Sequence, residues 1–140
     1  MAHFPVNHRL RPLYRIITAL AGTYILTFGI VGVTQTSGTA LFTQTGLPRA
    51  LGLRTNLAFA ILSVAAGAIL IGGAIIGRNI DVYINIVAGI AFMTAGTLML
   101  TLIPTNGNVL GFSVATCIVS DVLGILLLAS GLYGKIASAT

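Results

Sequence analysis

Asp121 is the residue of this chain best placed to do chemistry. It is a carboxyl group inside an oily run over 109–133, within the pattern Ser120-Asp121-x-x-Gly124. In such a place an acid could relay protons or anchor a neighbouring helix. An ionised carboxylate at mid-bilayer costs roughly 2.5 to 3.5 kcal/mol on insertion scales, so the group should face protein and be either protonated or paired. The residues expected at its depth are neutral: Tyr24, Ser63 and Thr94. At helical spacing Cys117, Ser120, Asp121, Gly124 and Gly131 gather on one narrow, small and polar stripe, which reads as a packing face.

The other reactive residue types do not assemble into a catalytic set. His3 and His8 stand in the amino-terminal head with Pro5 between them, which opposes a helix that could pair them on a metal. Cys117 is enclosed in an apolar run, away from any second thiol or histidine. Asp81 follows Arg78 in a tight turn, where an ion pair and a place in the first turn of the next helix are both available to it. Arg49 and Arg54 could hold an anion, although two arginines near a membrane surface more often snorkel. There is no Gly-rich phosphate loop, no carboxylate pair beside a base and no histidine at depth for haem. The expectation is a protein that is not an enzyme, with no cofactor and no metal.

Composition dictates the elements that carry these residues. Of 140 residues 56% are hydrophobic and only 6% are charged, with a mean hydropathy of +1.04. Soluble domains carry about a quarter of their residues as charges, so this chain is written for lipid. The apolar runs predict an all-α polytopic membrane protein of one domain. Its four transmembrane helices are expected over 13–34, 56–77, 81–103 and 109–133, behind a basic head 1–12 and around an extracytoplasmic loop 35–55. Gly67, Gly73 and Gly77 lie in a second span dense in small residues, which permits close helix packing. With the amino terminus inside, Arg9, Arg11, Arg15, Arg78 and Lys135 fall on the cytoplasmic side and only Arg49 and Arg54 outside. The positive-inside bias therefore predicts a multi-pass plasma-membrane protein with both termini cytoplasmic. Tyr14, Tyr83 and Tyr133 then meet at the inner interface. Topogenesis accounts for the net charge of +5 better than nucleic acid does.

The two halves are alike. SVAAGAILIGGAIIGR, ending at Arg78, aligns without gaps on SDVLGILLLASGLYGK, ending at Lys135. Gly22, Thr27 and Gly29 likewise match Gly89, Thr94 and Gly96. Two spans per half would make parallel repeats about an axis along the membrane normal. Asp121 stands where the first half has Val64, so the acid breaks the symmetry.

The segments NHRLRPLYR, LGLRTN, IGRN and GLYGK, in this order and spacing, resemble the actinobacterial four-span proteins grouped as the domain of unknown function 4383 family. The likeness covers essentially the whole chain and implies a small integral membrane protein without an assigned activity. Many members of that family show an Asn followed by a His near the start of the second and fourth spans. Here Asn56 and Asn108 are present and no His follows, so no role resting on that His carries over.

Two functions are compatible with these residues. One is a structural or accessory subunit packing on other membrane protein subunits or on itself as a homo-oligomer. The other is a proton-linked small-solute transporter or conductor using Asp121.

Overall fold

The computed structural model describes residues 9–135, so His3 and His8 lie outside the described residues. The fold is all-α. Four helices are each long and apolar enough to cross a membrane: α1 (Arg11–Thr36), α2 (Leu57–Ile76), α3 (Ile80–Leu102) and α4 (Val114–Leu132). At a rise of about 1.5 Å per residue, even the 19-residue α4 reaches about 28 Å, close to the thickness of a hydrocarbon core. Lipid offers the backbone no hydrogen-bond partner, so runs this apolar must satisfy their own amides as helices.

Local chemistry sets the helix ends. Pro12 sits in the first turn of α1, where an amide proton would have no partner. The Asn56 side chain accepts the Phe59 N–H at 2.9 Å to cap α2, and Ser113 Oγ accepts the Thr116 N–H at 3.3 Å to cap α4. Gly77, Arg78 and Asn79 all have positive φ, which reverses the chain between α2 and α3 within three residues. Helix α4 begins at Val114, although the apolar run starts at Val109. The cause is Asn108, which donates to the Phe112 carbonyl at 2.9 Å and accepts the Phe112 N–H at 2.8 Å, closing 108–112 into a turn. The loop over 35–55 contains a small antiparallel hairpin, β1 (Arg49–Ala50) and β2 (Leu53–Arg54), turned by Leu51 and Gly52 at positive φ.

Helix α1 packs closely on α2, and α3 on α4, while α1 with α4 and α2 with α3 meet less intimately. Both close pairs are antiparallel: the Arg15 guanidinium, near the start of α1, donates to the Ala74 and Ile75 carbonyls at the end of α2, while Gly89 of α3 meets Leu128 of α4 and the later Gly96 meets the earlier Cys117. All five cytoplasm-assigned bases therefore share one end of the bundle, and Arg49 and Arg54 lie at the other. Tyr14 and Tyr133 stack at that basic end, their ring centroids 6.1 Å apart, and Tyr83 is exposed there.

The two hairpins share a set of close approaches. A Cβ on Gly22 would press on Leu70 and Ile71, and one on its counterpart Gly89 would press on Leu128, the counterpart of Ile71. Gly29 faces Ala60 and Val64, while Gly96 faces their counterparts Cys117 and Asp121. Gly67 abuts Leu26, and Gly124 abuts Met93. Both cap positions, Asn56 and Ser113, also correspond. Where the halves meet, Asn85 Nδ2 donates to Thr18 Oγ1 at 2.9 Å, joining two positions that are themselves counterparts. The pseudo-two-fold axis therefore runs along the helices and passes this bond.

Asn56 ties the loop to both hairpins. It is fully buried, and besides capping α2 it donates to the Thr43 carbonyl at 3.2 Å and the Val109 carbonyl at 2.7 Å. Asn56→Ala is expected to cost about 1.5 kcal/mol, by losing a cap and leaving two carbonyls without that donor. A melting curve of the detergent-solubilised protein unchanged from wild type would refute this.

Candidate functional site at the seam of α3 and α4

The stripe on α4 is the face that this helix turns to α3. Cys117, Ser120, Gly124 and Gly131 are buried and Asp121 is half-buried. Gly124 lets the Met93 backbone approach, with Gly89 O only 2.8 Å from where a Cβ would stand, and Gly131 does the same for Val82 and Ile86. Ser120 Oγ crosses the seam to donate to the Phe92 carbonyl at 2.7 Å. The small residues are thus used on backbone approach, which lipid-embedded helices need because burial from water does not drive their association.

Asp121 enters this seam opposite Gly96, which has no side chain to exclude it. Its Oδ1 packs into that notch beside the Cys117 carbonyl and is buried without a hydrogen-bond partner. None of the three same-depth residues serves it. Ser63 Oγ donates to the Phe59 carbonyl of its own helix at 2.8 Å. Thr94 is exposed on the outer face of α3, and Tyr24 lines a cavity on the bundle axis. Asp121 itself does not line that cavity. The carboxyl is therefore offered at the outward edge of the seam, not to the space between the four helices.

Gly67 and Gly73 face neighbouring helices. Gly67 meets the Leu26 backbone of α1, and Gly73 meets the Ile84 side chain of α3. Gly77 ends α2: its φ is 65°, and its N–H returns to the Gly73 carbonyl at 2.9 Å.

The acid of the basic end pairs differently from the sequence expectation. Asp81 bonds Arg11, not Arg78, with Arg11 Nη1 3.0 Å from Oδ2. Arg78 is exposed in a left-handed turn conformation, while α1 carries Arg11 directly over the start of α3. Asp81 does lie in the first turn of α3, where the helix dipole favours an anion. A signal for this pair was present: Arg11, Arg15 and Thr18 fall on one face of α1, as do Asp81 and Asn85 on α3. Arg49 and Arg54 are cross-strand partners in the hairpin beside the amino end of α4, and Arg54 donates to the Phe112 carbonyl at 3.2 Å. Among the described residues no group of three or more His, Cys, Asp or Glu side chains could hold a metal ion.

Comparison with family models, curated proteins and solved structures finds no match to this chain.

Proposed function

We propose that this multi-pass membrane protein is a non-catalytic subunit. Its α3–α4 seam, centred on Asp121, packs against a helix of a larger membrane complex or of a second copy. The observation that carries the reading is the placement of Asp121: half-buried at the outward edge of a small-residue seam, one oxygen shut against Gly96 and unpartnered. A buried polar atom left unpaired costs about 1 to 3 kcal/mol, and a donor from a neighbouring helix reaching the other, exposed oxygen would give the carboxyl a hydrogen bond that lipid cannot supply. Thr94 and Thr97, exposed on α3, extend the polar surface of this side. The basic residues gathered at one end support a plasma-membrane orientation with both termini cytoplasmic. Kinship with the domain of unknown function 4383 family is proposed on the quoted segments alone.

A proton-linked conductor using Asp121 receives less support, because its carboxyl lies off the axis and outside the cavity. The two readings separate experimentally. Gentle detergent extraction with native mass spectrometry should find the wild type in an assembly, weakened about tenfold by Asp121→Leu. A wild type that runs as a monomer at every concentration would end the proposal. Proton flux in wild-type liposomes that vanishes with Asp121→Asn would replace it with the conductor.

A further inference from the structure

We infer that the cavity on the pseudo-two-fold axis is a binding site for the hydrocarbon chain of a membrane lipid, entered sideways between α2 and α3. The cavity has a volume of about 260 Å3, and all four helices line it together with Leu53, Leu110 and Phe112. Its lining follows the internal repeat. Ser63 faces it with its counterpart Ser120, Leu62 with Val119, and Leu53 with Leu110.

The counterparts differ sharply in size at two places, and these explain the opening. Tyr24 and Phe28 of α1 correspond to Ala91 and Ala95 of α3. Two large rings close the α1 side, where Phe28 is buried against Phe59 with ring centroids 5.0 Å apart. Two methyl groups stand at the matching places on α3. Accordingly the exposed members of the lining include Leu62 of α2 and Ala91 of α3, which flank the looser α2–α3 contact. The space lies beside the positions where rings matching Tyr24 and Phe28 would stand in the second half.

The chemistry of the lining selects the occupant. Among the described residues no lining side chain is charged, and three of the four lining hydroxyl groups are already engaged. Ser63 and Ser120 donate to the Phe59 and Phe92 carbonyls, and Thr116 Oγ1 lies 2.9 Å from Ser113 Oγ. Water needs two to four polar partners to stay in such a place, and apolar cavities of roughly 150 Å3 remain dry while accepting benzene. This cavity is larger and opens between two membrane-spanning helices, where the surrounding medium is acyl chain. A lipid tail needs no desolvation to enter, and it regains the contacts that an empty cavity forfeits.

The test uses the full chain in vesicles of phosphatidylglycerol bearing a diazirine midway along one acyl chain. After irradiation, adducts are mapped by peptide mass spectrometry. Adducts are expected on the segments holding Ser63, Phe92 and Ser120. The double variant Ala91→Tyr, Ala95→Phe, which restores the symmetric rings, should reduce them about tenfold. Adducts at lipid-facing Ile69 and Ile118 should stay unchanged in the same variant. Should that variant not elute as folded protein, Ala95→Leu gives the same comparison with a smaller insertion. Lining adducts that are absent from the wild type, whether the space is empty or filled by a protein side chain, overturn the inference. So do lining adducts that persist at wild-type level in a folded filled variant.

Discussion

Gly29→Ala and Gly89→Ala are each expected to destabilise the bundle by about 3 kcal/mol, while Gly72→Ala, in the same kind of helix, leaves it unchanged or slightly more stable. The difference lies in what the added methyl meets. On Gly29 it would stand 2.6 Å from the Val64 amide nitrogen and 2.8 Å from the Ala60 carbonyl oxygen. On Gly89 it would stand 2.6 Å from the Leu128 amide nitrogen and 2.8 Å from the Gly124 carbonyl oxygen. These obstacles are backbone atoms, which cannot rotate aside as a side chain can. The helices must therefore separate, and the dispersion contacts along the whole seam are lost together. Gly72 has nothing within 4 Å of where its methyl group would stand, so only the better helix propensity of alanine remains. Reversible unfolding in mixed dodecyl maltoside and sodium dodecyl sulfate micelles measures all three variants. Similar losses are expected because both methyl groups would meet a backbone nitrogen and a carbonyl oxygen of the paired helix at the same distances, although the two glycines are not counterparts in the repeat. A Gly89→Ala protein as stable as wild type would show that the α3–α4 approach is not close.

Much of this architecture is legible from the residues, because membrane insertion leaves the backbone few options. Four long apolar runs, interrupted within the membrane only by Asp121, have to be helices, and the gathering of bases at one end orders them. The Ser, Gly and Leu positions shared by SVAAGAILIGGAIIGR and SDVLGILLLASGLYGK predict two like hairpins, and for one of those positions the structure supplies the reason: Gly67 and its counterpart Gly124 are sites of backbone approach in their hairpins. What local pattern does not reveal is which helix each polar group meets. Asp81 is read from sequence as the neighbour of Arg78, three residues away, yet its partner is Arg11, seventy residues distant. A turn in left-handed conformation had already turned Arg78 toward solvent. Hydropathy likewise places the last span too early, because Leu110 and Phe112 are apolar without being helical. Asn108 closes the turn that holds them.

The seam around Asp121 shows a different limit. Spacing alone assembles Cys117, Ser120, Asp121, Gly124 and Gly131 into a stripe, but a stripe has two possible audiences, a helix of its own bundle or one outside. Gly96 decides the matter for the buried oxygen, since only a residue lacking Cβ admits the carboxyl there. The repeat then explains why the place exists at all. In the first hairpin Gly29 makes the same notch for Val64, and the second hairpin puts an acid into a pocket shaped for an apolar side chain. The cavity follows the same logic in reverse, with alanines where the first hairpin has rings. Departures from the internal symmetry thus mark the two places where this bundle differs from a plain packed pair of hairpins.

Removing either partner of the Asp81–Arg11 pair is expected to cost about 3 kcal/mol, and removing both should cost little more than removing one. The Asp81 side chain is only 3% exposed and that of Arg11 12%, so neither variant leaves its former partner well hydrated. Arg11 Nη1 lies 3.0 Å from Oδ2 and Nη2 lies 3.5 Å from Oδ1, a two-point contact that fixes the start of α1 against the start of α3. One turn deeper, the Asn85–Thr18 bond joins the same two helices, so losing the ion pair leaves this buried hydrogen bond to carry more of their register at this end. Asp81→Ala strands a guanidinium beside an apolar helix end. Arg11→Ala strands a carboxylate, which keeps only the dipole of α3 as compensation. In the double variant no uncompensated charge remains, and the penalty that dominates each single change disappears. A double-mutant cycle on unfolding free energies in mixed micelles should therefore give a coupling of about 3 kcal/mol. Strictly additive losses would mean that the two side chains act separately, and the register of α1 against α3 would then rest on Thr18 and Asn85.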